Sequence, residues 1–189
     1  MAIEDRERWN HKYIAKPPPT ELDPDDWLTA NAKLRGANRA LDLACGLGHN
    51  AIWLAQQGWT VDAVDISTVG LSFAREFAAR QRTEVNWIED DLDTYESPPD
   101  TYDLVVVTRF LDREQLPRLI ESTLKPGGVL IYQTFTVHQF SRCERGRHNP
   151  NYVLQPGELP RLFPALSVLA FEELNDNERA VARLMAQKT

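Results

Sequence analysis

The stretch RALDLACGLGHNAIWLA, residues 39–55, passes from one apolar run through two glycines into another. A β-rich run that ends in glycine and continues directly as a helical pattern predicts strand, tight turn and helix. In such a turn the backbone can approach a ligand closely, and the first N–H groups of the helix are unpaired. The alternation then repeats. Strands are predicted over 39–44, 59–64, 84–88 and 102–107, the last (YDLVVV) nearly continuous in apolar residues. Helices are predicted over 49–57, which Gly58 ends, over 68–80, and along the face of Leu116, Leu119 and Ile120, with Pro117 in its first turn. LKPGGVLIYQTF adds a turn and a fifth strand; a short helix near 156–163 and strands near 166–174 and 179–186 follow. Crossovers of helical length make the early strands parallel. The expected class is α/β: a doubly wound, mostly parallel sheet of about seven strands with an antiparallel C-terminal strand and helices on both faces.

At 189 residues one domain is expected, comprising an N-terminal helical lid (1–36), a cofactor-binding core (37–135) and an acceptor-side loop with the C-terminal strands (136–189). No apolar run is long enough to cross a bilayer, and MAIEDRERWNHKY is too polar for a secretory signal, so a cytoplasmic protein is expected, without membrane attachment. A net charge of −7 argues against a broad nucleic-acid-binding face. Cys45 reads as a small packing residue, and His138, Cys143 and His148 match no compact ligand spacing, so no metal is expected. The sequence fits a monomer or weak homodimer.

GLGHNA satisfies the GxGxxA form of the dinucleotide fingerprint, and Asp65 could hold a ribose for either of two cofactor types. Asp42, four positions before Gly46, separates them: a carboxylate there repels a pyrophosphate and attracts a cofactor bearing an ammonium group.

DLACGLGHN, Asp65 after the second strand, IEDDL after the third, YDLVVV and LKPGGVLIYQTF together resemble the class I S-adenosylmethionine-dependent methyltransferases, whose fold is Rossmann-like. Asn50 in the turn and RERWNHKY near the N-terminus are similar to the tellurite-resistance and thiopurine methyltransferase-like branch, with His49 where that branch usually has arginine. The resemblance implies S-adenosylmethionine as cofactor. It implies that Asp42 holds the methionine ammonium, that Gly46 and Gly48 let the main chain pass beneath the cofactor, and that Asp65 takes both ribose hydroxyls. Ile66 is to pack on adenine, Asp91 to accept its amino group, and Leu92 to offer a backbone N–H; Ala44, Asn50 and Thr108 complete the set.

Competing readings remain at this stage. Asp65 could cap the helix near Ser67, Asp91 could be one charge of a solvated run, and Trp9 and Tyr13 divide between core anchors and a lid. Arg109, directly after YDLVVVT, is the candidate catalytic contact; Asp112 and Glu114 offer it a plain ion pair instead. With Arg142, Arg145, Arg147 and His148 it suits an anionic acceptor. TRFLDR stands where an amino-methylating NPPY signature would, which leaves a small molecule as the leading acceptor class. A nicotinamide-dependent oxidoreductase or a noncatalytic binding module on the same fold are the alternatives.

Overall fold

Consecutive residues of the inner strands enter different cores. In β1 (Arg39–Leu43), Leu41 and Leu43 join one core and Ala40 the other. In β4 (Tyr102–Thr108), Val105 and Val107 join the first, Leu104 and Val106 the second. A sheet covered on both faces has no wet side, which explains why YDLVVV carries no polar alternation.

The computed structural model describes residues 2–15, 18, 20–32, 38–142 and 150–189. Its elements are α1 (Ala2–Ile14), α2 (Asp26–Asn31), β1, α3 (His49–Gln56), β2 (Thr60–Asp65), α4 (Thr68–Arg80), β3 (Asn86–Glu89), β4, α5 (Gln115–Thr123), β5 (Leu124–Phe135), β6 (Leu166–Asn175) and β7 (Ala180–Lys188). Seven strands form one sheet in the order β3-β2-β1-β4-β5-β7-β6. The first five run parallel; β7 is antiparallel to both neighbours. This is the expected doubly wound, Rossmann-like architecture. The first core takes Leu116 and Ile120 of α5, with Leu159 and Phe163 around a short 3-10 turn; the second takes Leu28 of α2 and Ala51 and Leu54 of α3.

Boundaries move where local geometry demands it. β1 stops at Leu43 because Ala44 is left-handed, at φ +56°. The third strand starts at Asn86 rather than 84, and the helix expected near 156–163 is the 3-10 turn Leu159–Leu162. Pro117 falls in the first turn of α5, where no intrahelical amide is lost.

Polar contacts dock the N-terminal helices. α1 packs on α4, whose N-cap is Ser67: its Oγ accepts from Gly70 N–H at 3.0 Å and donates to Asn10 Oδ1 at 2.6 Å. Asn10 Oδ1 also accepts from the Val69 amide at 3.2 Å, so one α1 side chain closes the start of α4. α2 is capped by Asp25, which accepts from the Trp27 and Leu28 amides. Gln133 of β5 donates to Asp25 and accepts from the buried Arg183 of β7, which also binds Asp26 at 2.7 Å and Glu172 at 3.0 Å. Hydrogen bonds and charge from Arg179 and Arg183 hold the Asp26 carboxyl down at about 2.

Candidate cofactor and acceptor site

The sheet order reverses between β1 and β4, and at such a point the loops leaving the strand ends part to open a crevice. A cavity of about 850 Å³ lies there. Nine of the eleven residues assigned to the cofactor or the acceptor line it: Ala44, Gly46, Asn50, Asp65, Ile66, Asp91, Leu92, Thr108 and Arg109. Asp42 and Gly48 do not.

Gly46 presents bare backbone to the cavity at φ +55°. Its N–H donates to Asp65 Oδ2 at 2.7 Å, while Asp65 Oδ1 accepts from Ser67 N–H at 2.8 Å. Each oxygen keeps a further lone pair for a ligand hydroxyl. Burial raises the Asp65 carboxyl above its usual range and these amide bonds oppose the shift. Asp65 thus braces the glycine turn, and the helix cap itself is Ser67.

Gly48, at φ +76°, faces the protein: a Cβ there would lie 2.4 Å from Trp87 Cη2 and 3.0 Å from Ala74 Cβ. Asp42 lies beneath the turn, fully buried, and neither oxygen has a hydrogen-bond partner among the described residues. Desolvation, then the nearby Asp65 charge, push it up to about 8; the Ala51 amide, short of hydrogen-bond geometry, opposes this weakly. A buried carboxylate without a partner is costly and gains from a nearby positive charge.

Asn50 turns its side chain inward. Its amide donates to Thr108 Oγ1 at 2.9 Å and its carbonyl accepts from Asp25 N–H at 2.8 Å, so it ties the end of β4 to the cap of α2. His49 Nδ1 accepts from Asp23 N–H at 3.1 Å, which fixes the neutral ring with its proton on Nε2; burial, then the nearby Arg109 charge, lower its pKa, against the pull of Asp23. Asp91 Oδ1 accepts from Asp93 N–H at 3.0 Å.

On the acceptor side, the cationic side chains in the wall have different fates. Arg8 pairs with Asp5 at 2.8 Å, Arg179 pairs with Asp26 at 2.6 Å, and Lys12 lies over the Trp9 ring at 4.0 Å. The Arg109 guanidinium makes no ion pair among the described residues: Asp112 is spent on the amides of Glu114, Gln115 and Leu116 at the start of α5. Arg109 is held at φ +56° by its N–H bond to Gln133 O at 2.9 Å, a conformation that costs a non-glycine residue roughly 1–2 kcal/mol. Phe110, Phe135 and Tyr152 add apolar wall.

Sequence reasoning missed Asp25, Gln133, Arg183 and Arg113 as supports of this site. Arg113 bridges Glu158 and the Asn151 and Val153 carbonyls, placing the segment that carries Tyr152. DPDDW before a helical run was the one available signal, for a cap at Asp25. Cys143, Arg145, Arg147 and His148 lie outside the described residues.

The family described as Methyltransferase domain matches residues 40–128, a span that contains the glycine turn, Asp65 and Asp91. That match, with the methyltransferases among its relatives and structural neighbours, supports a class I S-adenosylmethionine-dependent methyltransferase. The chain is 25% identical over 156 residues to a ubiquinone biosynthesis O-methyltransferase of Aliivibrio fischeri, covering 73% of this chain and 67% of that protein. An S-adenosylmethionine-dependent methyltransferase from Mesorhizobium loti superposes with a TM-score of 0.69 at 20% identity, over 86% of this chain and 97% of that one. TehB from Haemophilus influenzae superposes with a TM-score of 0.69 at 20% identity, over 96% and 67%. Likeness at that identity shows the shared fold. The chain spans 46% of the length of the first curated relative that it matches and 67% of the second. The matched domain and these methyltransferases imply S-adenosylmethionine as cofactor, and the residues present fit it: bare backbone at Gly46, a carboxylate with spare acceptors at Asp65, and an unpartnered buried carboxyl at Asp42 beneath the turn. No helix among the described residues is long and apolar enough to cross a membrane.

Proposed function

We propose that this chain transfers the methyl group of S-adenosylmethionine to a small, anionic acceptor. The observation that carries this reading is the Arg109 guanidinium, which stands in the cavity wall at the β4 end without an ion pair among the described residues. When bound, the cofactor supplies a methyl group already activated on a sulfonium, open to in-line attack by a nucleophile. The protein's work is therefore positioning and exclusion of water. Asp65 accepts from the ribose hydroxyls, Asp42 offsets the ammonium charge, and Asp91, Leu92 and Ile66 take the adenine. Arg109 orients the acceptor through paired, charge-assisted hydrogen bonds. An acceptor that arrives as an anion needs no general base.

Trp9 and Tyr13 of α1 line the cavity, and Tyr13 Oη lies 2.6 Å from where a Cβ on Gly46 would stand, which supports a lid formed by the N-terminal segment. We keep the division into lid, core and acceptor side, and a monomer or weak homodimer in the cytoplasm, as parts of the same reading. Thermal unfolding in the presence of S-adenosylmethionine, S-adenosylhomocysteine or NAD tests the cofactor: the first two raise the midpoint and NAD does not. Labelled methyl transfer to a panel of phenolate, thiolate and carboxylate acceptors then tests the activity. No transfer to any of them, with the cofactor bound, favours a noncatalytic module.

A further inference from the structure

The cofactor roles proposed above take the adenine, the ribose hydroxyls and the ammonium, and leave the α-carboxylate of the methionine end without a contact. The ammonium and the carboxylate share one carbon, so an ammonium drawn to the charge of Asp42 beneath the glycine turn keeps the carboxylate over that turn. Of the cations in the wall, Arg8 pairs with Asp5, Arg179 pairs with Asp26, Lys12 lies over the Trp9 ring, and Arg109 stands at the end of β4. The Tyr13 hydroxyl stands at the turn itself. A Cβ on Gly46 would come 2.6 Å from Tyr13 Oη, so a ligand oxygen over this bare backbone is within hydrogen-bond reach of the phenol. Tyr13 is half-buried and lines the cavity, where a ligand meets it. Its hydroxyl has no hydrogen-bond partner among the described residues. Burial, then the nearby Asp65 charge, raise the phenol above its ordinary value, so it stays protonated and remains a donor.

Three features of the fold hold that phenol in place. Trp9, one helical turn earlier in α1, stacks on it with ring centroids 5.9 Å apart and planes 27° apart. Asn10 pins α1 to the start of α4. Gly70, in the first turn of α4, makes room: a Cβ there would lie 2.9 Å from Tyr13 Cε2 and 3.1 Å from Cδ2. A donor placed before the ligand arrives loses little conformational freedom on binding. We propose that Tyr13 is a direct cofactor contact whose hydroxyl donates a hydrogen bond to the α-carboxylate of S-adenosylmethionine. A neutral donor suits the position, because a lysine or arginine beside Asp65 would pair with the carboxylate that the ribose hydroxyls need. The inference rests on the cofactor reading above and gives α1 a share in recognising the methionine end.

S-adenosylhomocysteine and its decarboxylated analogue, which keeps the adenine, ribose, sulfur and ammonium, are the probes. Calorimetric titration of the full chain compares wild type with Tyr13→Phe, which retains the ring and removes only the hydroxyl. Tyr13→Phe weakens S-adenosylhomocysteine binding by about tenfold, the loss of one hydrogen bond to a charged group, and binds the decarboxylated analogue as wild type does. Two results overturn the assignment: equal affinity of both proteins for S-adenosylhomocysteine, or an equal loss for both ligands, which makes Tyr13 a packing residue of the lid. Both leave the cofactor reading standing, since wild type still binds S-adenosylhomocysteine. Wild type that binds neither ligand overturns the cofactor reading and the Tyr13 contact together.

Discussion

Gly46 N–H donates to Asp65 Oδ2 at 2.7 Å, so the residue proposed to hold the ribose also holds the turn over which the cofactor lies. Asp65→Ala therefore has two effects. Cofactor affinity falls by roughly 2–3 kcal/mol, the scale of charge-assisted hydrogen bonds. Stability falls as well, by about 1–3 kcal/mol for each amide left without an acceptor at Gly46 and Ser67. Titration calorimetry measures the first and urea unfolding the second; unchanged affinity in a folded variant would falsify the ribose assignment.

The two glycines of the turn separate by experiment. Gly48→Ala drives a Cβ against the Trp87 ring in a left-handed backbone, and costs about 2–5 kcal/mol of stability from overpacking and conformational strain combined. Gly46→Ala meets the Tyr13 hydroxyl, the far end of a side chain on α1, so the fold survives while cofactor binding is lost. Equal stability of the two variants in urea denaturation contradicts this division.

Asp42 gives the ligand-free protein a pH signature. Its folded pKa, about 8, is raised above that of an exposed carboxyl, so its contribution to stability is fully present at low pH. That contribution is lost as the pH rises through the folded value. Asp42→Asn flattens the fall in melting temperature between about pH 5 and pH 8. A cofactor ammonium favours the ionised form. Binding at neutral pH accordingly releases about one proton in wild type and less in Asp42→Asn, read from calorimetric enthalpies in buffers of different ionisation heat. The same proton release in both proteins rules Asp42 out.

Asn50 is expected to act through structure. Asn50→Ala strands the Asp25 amide and breaks the link to Thr108, costing about 1–3 kcal/mol. Its effect on cofactor affinity should be smaller than that of Asp65→Ala. A fully stable Asn50→Ala that no longer binds cofactor makes Asn50 a direct contact.

Arg109→Lys keeps the charge and loses the planar fork. The acceptor KM rises about tenfold, and cofactor affinity stays near wild type. Unaltered acceptor kinetics, or a loss of stability in its place, makes Arg109 a scaffold residue.

The sequence by itself determined the order of strands and helices, the glycine turn, and the residues that meet at the carboxyl ends of β1, β2 and β4. Those features follow from short-range rules: apolar periodicity sets an element, glycine sets a turn, and a right-handed crossover sets where the next strand lies. Which way a side chain faces within the turn was decided only by the tertiary structure. Gly48 looks like Gly46 in the chain, yet Trp87, thirty-nine positions away, makes one a packing residue and leaves the other under the cavity. Likewise Asp112 and Glu114 are sequence neighbours of Arg109, but Asp112 turns to the amides of α5. The Asp25–Gln133–Arg183 chain links α2, β5 and β7 across more than 150 positions. Hydrogen bonds between distant segments depend on how the layers dock, and no local pattern of residues encodes that docking.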